Sequence, residues 1–188
     1  MQARLEQLRE RDRQAKLLHA WVPYDRIAVS LKRAVVVAED AKFSDHEGFD
    51  WEAIEKAREK NRKKGRVVAG GSTISQQLAK NLFLSGERSA LRKGQEALIT
   101  VMIEHVMDKR RILEIYLNVI EWGEGVFGAE AAARHYYGAN AAQLGAEQSA
   151  RLAAMVPSPR FYDRNRNTTF LARRAQTILA RMPAAELP

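Results

Sequence analysis

ILEIYLNVIEWGEGVFG, residues 112–128, decides between two folds. Its last six residues, Gly123 to Gly128, carry the G-x-G-x-x-G spacing that in an α/β fold leads from a strand into a dinucleotide-binding helix. That reading requires a strand directly before the first glycine. What stands there is Ile112, Ile115, Tyr116 and Val119, the i, i+3, i+4, i+7 spacing of one buried helix face. The dinucleotide fold is rejected, and the glycines are expected to turn the chain between helices.

Helical spacing continues in both directions from this stretch. Asp108 begins the helix just described, and a longer helical region precedes it from about Ala90 to Met107. The Ala-rich segments 129–137 and 146–156 read as close-packed core helices separated by Gly138 and Asn140. Val156 to Pro159, VPSP, breaks the pattern before a last amphipathic helix bearing Phe170, Leu171, Ala175, Ile178 and Leu179. On the amino-terminal side, residues 1–18 read as a charged helix, interrupted by Pro23 and Tyr24. Ser30 is placed as the cap of a helix presenting Leu31, Ala34, Val35 and Ala38. Asp50 caps a short helix containing Trp51, Ile54 and Ala57, and the charged run Arg58 to Arg66 reads as an exposed, mobile loop. Gly70 and Gly71 open a further helix at Ser72. No alternating strand series and no internal repeat is evident, so the fold class is all-α.

Composition narrows the function classes. The chain has 188 residues, enough for one domain with one core. Hydrophobic residues make up 46% and charged residues 29%, an ordinary globular balance. The absence of cysteine excludes disulfides, thiolate metal sites and a cysteine nucleophile. A net charge of +8 suits nucleic acid, an anionic membrane face or a phosphate-bearing substrate, and charge alone does not choose among them. The basic run Arg58 to Arg66 has no interleaved aromatic residues for base stacking and reads as a solvated surface. No apolar run reaches the roughly 18–20 residues that span a bilayer, and the charged start MQARLEQLRERDRQAK lacks the apolar segment of a signal peptide.

Three clusters carry chemistry. In EDAKFSDHEGFD, Glu39 to Asp50, a helix continuing to His46 would align Glu39, Phe43 and His46 on one face. A carboxylate partly desolvated by an aromatic neighbour is a better proton acceptor; the plainer reading is an exposed acidic helix end with His46 as a packing residue. In GGSTISQQLAKN, Gly70 to Asn81, the glycines allow close backbone approach and a new helix start offers N–H groups to an anion. Thr73, Gln77 and Lys80 then form a polar stripe beside an apolar one of Ile74, Leu78 and Leu82, a candidate pyrophosphate cradle. The third cluster is Arg88, Arg92, Lys93 and Glu96, readable as a surface i, i+4 ion pair or as cations that neutralise a leaving phosphate.

Together these segments resemble the peptidoglycan glycosyltransferase family of bifunctional penicillin-binding proteins and monofunctional transglycosylases. The stretches that carry the resemblance are RAVVVAEDAKFSDHEGFD, GGSTISQQLAKNLFL, RKGQEA with Glu104 following, KRRILEIYLNVIEWGEGVFGAEAAARHYYG and SARLAAMVPSP, in order over roughly residues 21–182. The resemblance implies a lysozyme-like, two-lobed helical domain with a central cleft. It implies lipid II, the undecaprenyl-pyrophosphate-linked disaccharide pentapeptide, and the growing glycan strand as substrates. By the family's pattern Glu39 is the general base and Glu96 organises the donor pyrophosphate, with Mg²⁺ or Mn²⁺ as a candidate cofactor. Lys80, Arg88, Arg92 and Lys93 match pyrophosphate contacts, and Thr73, Gln76, Gln77 and Asn81 would line the cleft. Asp40 and Glu104 belong to the same substrate site and would support it rather than react.

The resemblance also implies a bacterial cytoplasmic membrane setting, with the catalytic domain on its outer face and an anionic lipid surface as partner. Other cell-wall synthesis and division proteins are further expected partners; nucleic acid is not. Residues 1–20 are expected to be a charged helix or linker after a membrane anchor, and 21–188 the catalytic domain, with no transpeptidase domain in the sequence. Two other readings compete: a lysozyme-like hydrolase or lytic transglycosylase, which has no need of the Lys80, Arg88 and Arg92 set, and a non-catalytic basic module. Gly94 stands inside a predicted helix, where it costs up to about 1 kcal/mol relative to Ala.

Overall fold

A computed structural model describes residues 2–10, 13, 14, 16–84 and 89–188, the side chains of Gln2 and Ala3 excepted. Its centre is helix α2, Val29–Glu39, whose Leu31, Ala34, Val35 and Val36 are buried. Against it pack α8, Ala146–Met155, and α10, Thr169–Arg181. Ala34 of α2 and Ala150, Ala153 and Ala154 of α8 are all buried in this core. A second packed group joins α4, Ile74–Phe83, to α5, Ala90–Val106, and α6, Lys109–Val119. The candidate site lies where α2, α4, α6 and α10 converge.

The chain is mainly helical, as expected, with one addition. After α1, Gln2–Arg9, strand β1, Leu18–His19, pairs in parallel with β3, Val126–Phe127, and β3 pairs antiparallel with β2, Glu121–Gly123. Strands of two or three residues are too short to show alternation, which is why the sequence reads as strandless. The glycines of GEGVFG therefore turn a β2–β3 hairpin between α6 and α7, Ala129–Tyr137. Gly128 is required there: its φ is +82° and an added Cβ would lie 2.7 Å from the Asn118 carbonyl oxygen. Residues near the amino terminus pack on this hairpin through buried Leu8 and an Arg4 guanidinium 3.3 Å from both Glu121 and Glu124. Helix α9, Pro159–Arg164, covers β2.

Several boundaries differ from expectation. The charged helix at the start ends at Arg9 rather than continuing to 18. Helix α2 starts one residue before Ser30, whose hydroxyl donates to the Leu144 carbonyl instead of capping. Helix α3, Trp51–Lys64, absorbs most of the run read as a loop. It buries little beyond Ala57, so burial does not explain it. Asp50 caps its first turn, the ion pairs Glu52–Lys56 and Glu59–Lys63 span i, i+4, basic residues fill its last turn, and Gly65 closes it at φ 62°. On α6 the buried face is Ile112, Leu113, Tyr116, Leu117 and Ile120, rotated slightly from the predicted stripe.

Candidate active site

Glu39 is the last residue of α2. Its side chain is 10% exposed. Gln77 Nε2 on α4 donates to Glu39 Oε2 at 3.0 Å, and the buried Tyr116 hydroxyl on α6 donates to Gln77 Oε1 at 2.8 Å. From α10, Arg174 Nη2 stands 3.6 Å from Glu39 Oε1, and that oxygen has no hydrogen-bond partner. Burial raises the Glu39 pKa; the Gln77 hydrogen bond and the charges of Arg174 and Lys80 pull it back, while Asp40 adds to the rise. The net shift is upward. A carboxylate with a raised pKa and one uncommitted oxygen is a competent proton acceptor.

The helix does not continue past Asp40, so Phe43 and His46 do not share a helical face with Glu39. The chain folds back instead. Asp40 Oδ2 accepts the Ile74 N–H at 2.9 Å, and His46 Nε2 lies 3.0 and 3.1 Å from the two Asp40 oxygens. His46 Nδ1 accepts from the Gly48 N–H at 3.1 Å, which assigns the ring proton to Nε2, on the Asp40 side. Asp40 thereby pins the end of α2 to the start of α4. Phe43 is fully buried, edge-on to His46.

Helix α4 starts at Ile74, not Ser72, and its first turn is closed from within. Thr73 is the cap: its oxygen accepts the Gln76 N–H at 3.2 Å and its hydroxyl donates to the Gly48 carbonyl at 2.7 Å. Gln76 is buried and completes the capping box by accepting the Thr73 N–H at 3.0 Å. Two N–H groups expected to cradle an anion, those of Ile74 and Gln76, are thus already paired. What α4 offers outward is Gln77, toward Glu39, and the exposed pair Lys80 and Asn81.

On α5, Glu96 is 3% exposed. Arg92 Nη1 reaches its Oε2 at 2.9 Å and Lys93 Nζ reaches its Oε1, while the buried Arg92 Nε has no partner. The pair is therefore a held cation cluster with unspent donor capacity rather than a solvated i, i+4 bridge. Glu104 accepts from the Ser75 hydroxyl and from Lys109 Nζ, the latter at 2.7 Å, joining α4, α5 and α6. Arg88 lies outside the described residues. Both Glu96 oxygens are on cations, and no three His, Asp or Glu side chains that could hold a metal converge among the described residues.

Two residues of this site escaped the sequence reading. Arg174 follows Leu171 by three and precedes Ile178 by four, so a charge stands inside the apolar stripe of α10. That misplaced charge was the available signal. Tyr116 was read as core, yet a fully buried phenol needs a hydrogen-bond partner, and its partner is Gln77.

The transglycosylase family matches residues 5–183. The biosynthetic peptidoglycan transglycosylase of Dechloromonas aromatica is 66% identical over 188 residues, covering 100% of this chain and 81% of that protein. The proteins of the same name from Janthinobacterium sp. and Chromobacterium violaceum are 65% and 62% identical, with 100% of this chain and 81% and 82% of theirs covered. A family match over residues 5–183, with relatives at 62–66% identity over the whole chain, means that this protein belongs to the transglycosylase family.

Proposed function

We propose that this chain polymerises lipid II into β-1,4-linked glycan, as an inverting peptidoglycan glycosyltransferase acting at the outer face of the cytoplasmic membrane. The observation that carries this reading is the state of Glu39: one oxygen held by Gln77, the other uncommitted, the whole group buried and shifted toward the proton-accepting range. Oε1 takes the proton of the acceptor's GlcNAc 4-hydroxyl as that oxygen bonds to C1 of the donor's MurNAc. The bond from C1 to the α-linked pyrophosphate breaks on the opposite side, and undecaprenyl pyrophosphate leaves with the electron pair. Lys80, Arg92 and Lys93 neutralise that leaving group, with Arg88 assigned to the same task, and Asn81 to the cleft lining, by resemblance. Glu96 holds Arg92 and Lys93 in place; Thr73, Gln76, Asp40 and Glu104 keep the α2–α4–α5 junction in register.

A lipid-linked substrate requires access to a bilayer surface. Among the described residues no helix is long and apolar enough to cross a membrane. Exposed apolar side chains on α4 and α5 nevertheless include Phe83 at 61%, Leu91 at 76%, Leu98 at 64% and Val106 at 71%. These side chains, on a chain of charge +8, fit partial immersion in an anionic leaflet.

The test uses fluorescent lipid II, with wild type and Glu39→Gln, each with EDTA or with added Mg²⁺ or Mn²⁺. A muramidase-sensitive ladder from wild type that is lost in Glu39→Gln supports the reading. Fragments released from preformed glycan without a ladder would replace it with a lytic activity.

A further inference from the structure

Tyr116 stands at the far end of the hydrogen-bond chain that reaches the base, one residue removed from the carboxylate. A primary amide can turn either end toward a carboxylate, and only the N–H end is attractive. The acceptor-only Glu39 carboxylate selects the N–H end, taking Gln77 Nε2 on Oε2 at 3.0 Å, and the Tyr116 hydroxyl fastens the other end by donating to Gln77 Oε1 at 2.8 Å. Burial and the carboxylates of Glu39 and Asp40 push the Tyr116 phenol well above its ordinary pKa, so it keeps the proton it donates.

We infer that Tyr116 is a positioning residue for glycosyl transfer, locking the Gln77 amide so that Glu39 Oε2 is held and Oε1 is the oxygen that receives the proton. The inference rests on the reading of Glu39 as general base. The groups facing Glu39 are Gln77 and Lys80 from α4, Arg174 from α10, Tyr116 from α6 and Asp40 beside it. Of these, Gln77 supplies the hydrogen bond. An unlocked amide supplies it only part of the time, and a carboxylate that loses a donor becomes harder to ionise.

The experiment measures kcat and KM for lipid II polymerisation across roughly pH 5 to 9 in wild type, Tyr116→Phe, Gln77→Met and the double variant, with thermal melts at each pH. In Tyr116→Phe the acid limb of kcat is expected to move up by about half to one pH unit, with KM within about twofold. Adding Tyr116→Phe to Gln77→Met should move the limb no further, because the group through which Tyr116 acts is gone. A partly unfolded Tyr116→Phe would lower kcat without moving its limb, so the limb remains readable. A uniform loss of kcat with the limb unmoved would overturn the inference, as would additive shifts in the double variant. A wild type that makes no glycan overturns the parent reading and this inference with it; ladders with an unmoved limb overturn this inference alone.

Discussion

Replacing Asp40 tests whether it is a pin or a participant in the chemistry. Asp40→Ala leaves two buried donors unpaired, the Ile74 N–H and His46 Nε2–H, now held at 2.9 and 3.0 Å. At about 1–3 kcal/mol for each orphaned donor, the loss is roughly 4 kcal/mol. For a chain of this size that lowers Tm by roughly 8–16 °C, a large part of the roughly 5–15 kcal/mol of a typical domain. Asp40→Asn is the sharper variant. Its carbonyl can still accept from Ile74, but its amide then points N–H at N–H with His46. Switching the His46 tautomer moves the conflict to Gly48, whose N–H now donates to Nδ1. One mismatch survives either way, worth about 2 kcal/mol, or about 4–8 °C. Adding His46→Phe removes one donor of the mismatch, so Asp40→Asn should cost less in that background than in wild type. Differential scanning fluorimetry and urea melts read the stability, and the lipid II ladder assay on the folded fraction reads function. Folded Asp40→Asn protein should retain polymerisation. Unchanged Tm in Asp40→Ala, or a stable Asp40→Asn protein with no activity, would refute the pin.

Other expectations follow from the same contacts. Glu39→Gln should lower polymerisation by about 10²–10⁴-fold, the usual weight of a general base. It should also gain Tm relative to wild type as pH rises through the carboxylate range into neutrality, a comparison made by melts at stepped pH. Arg174→Met removes the guanidinium 3.6 Å from Glu39 Oε1, so the acid limb of kcat should move to higher pH, with activity partly recovered in alkaline buffer. Gly94 lies mid-helix in α5 with nothing within 4 Å of an added Cβ, so Gly94→Ala should stabilise the fold by roughly 0.5–1 kcal/mol in urea melts.

The fold was legible wherever burial shaped the residue order. The apolar spacing of α6, α8 and α10 and the caps Asp50 and Asp108 are all visible in the sequence, because each leaves a periodic or positional trace. Helix α3 was cut short because a charged helix held by caps and ion pairs leaves no apolar stripe. The site was legible by residue type more than by role. Thr73 and Gln76 looked like cleft donors, yet a polar side chain in the first turn serves a cap as readily as a ligand, and the hydrogen bonds here are those of a cap. Asp40 was read as a supporting residue, and its contact with the Ile74 N–H crosses from the end of α2 to the start of α4, which no local pattern shows. Arg174 reaches Glu39 from 135 positions further along the chain, a distance no local pattern spans.

The burial of Glu39 has a cost that locates the surrounding groups functionally. A carboxylate whose pKa is raised on folding binds its proton more tightly in the native state than in the unfolded chain. Its contribution to stability is therefore greatest below the ordinary carboxylate range and is lost as pH rises through the raised value. At neutral pH the fold carries that loss. A fold selected for stability alone would do better with an uncharged side chain at this position. Gln77, Arg174 and Lys80 offset part of the loss, but none removes it, since the net shift remains upward. Complete neutralisation would be counterproductive, because a carboxylate fully paired with cations has its pKa lowered and becomes a weaker base. The arrangement leaves Oε1 without a hydrogen bond, with Arg174 just beyond bonding distance at 3.6 Å. The ion pair with Arg174 steadies the charge from nearby while the oxygen itself keeps its hydrogen-bonding capacity.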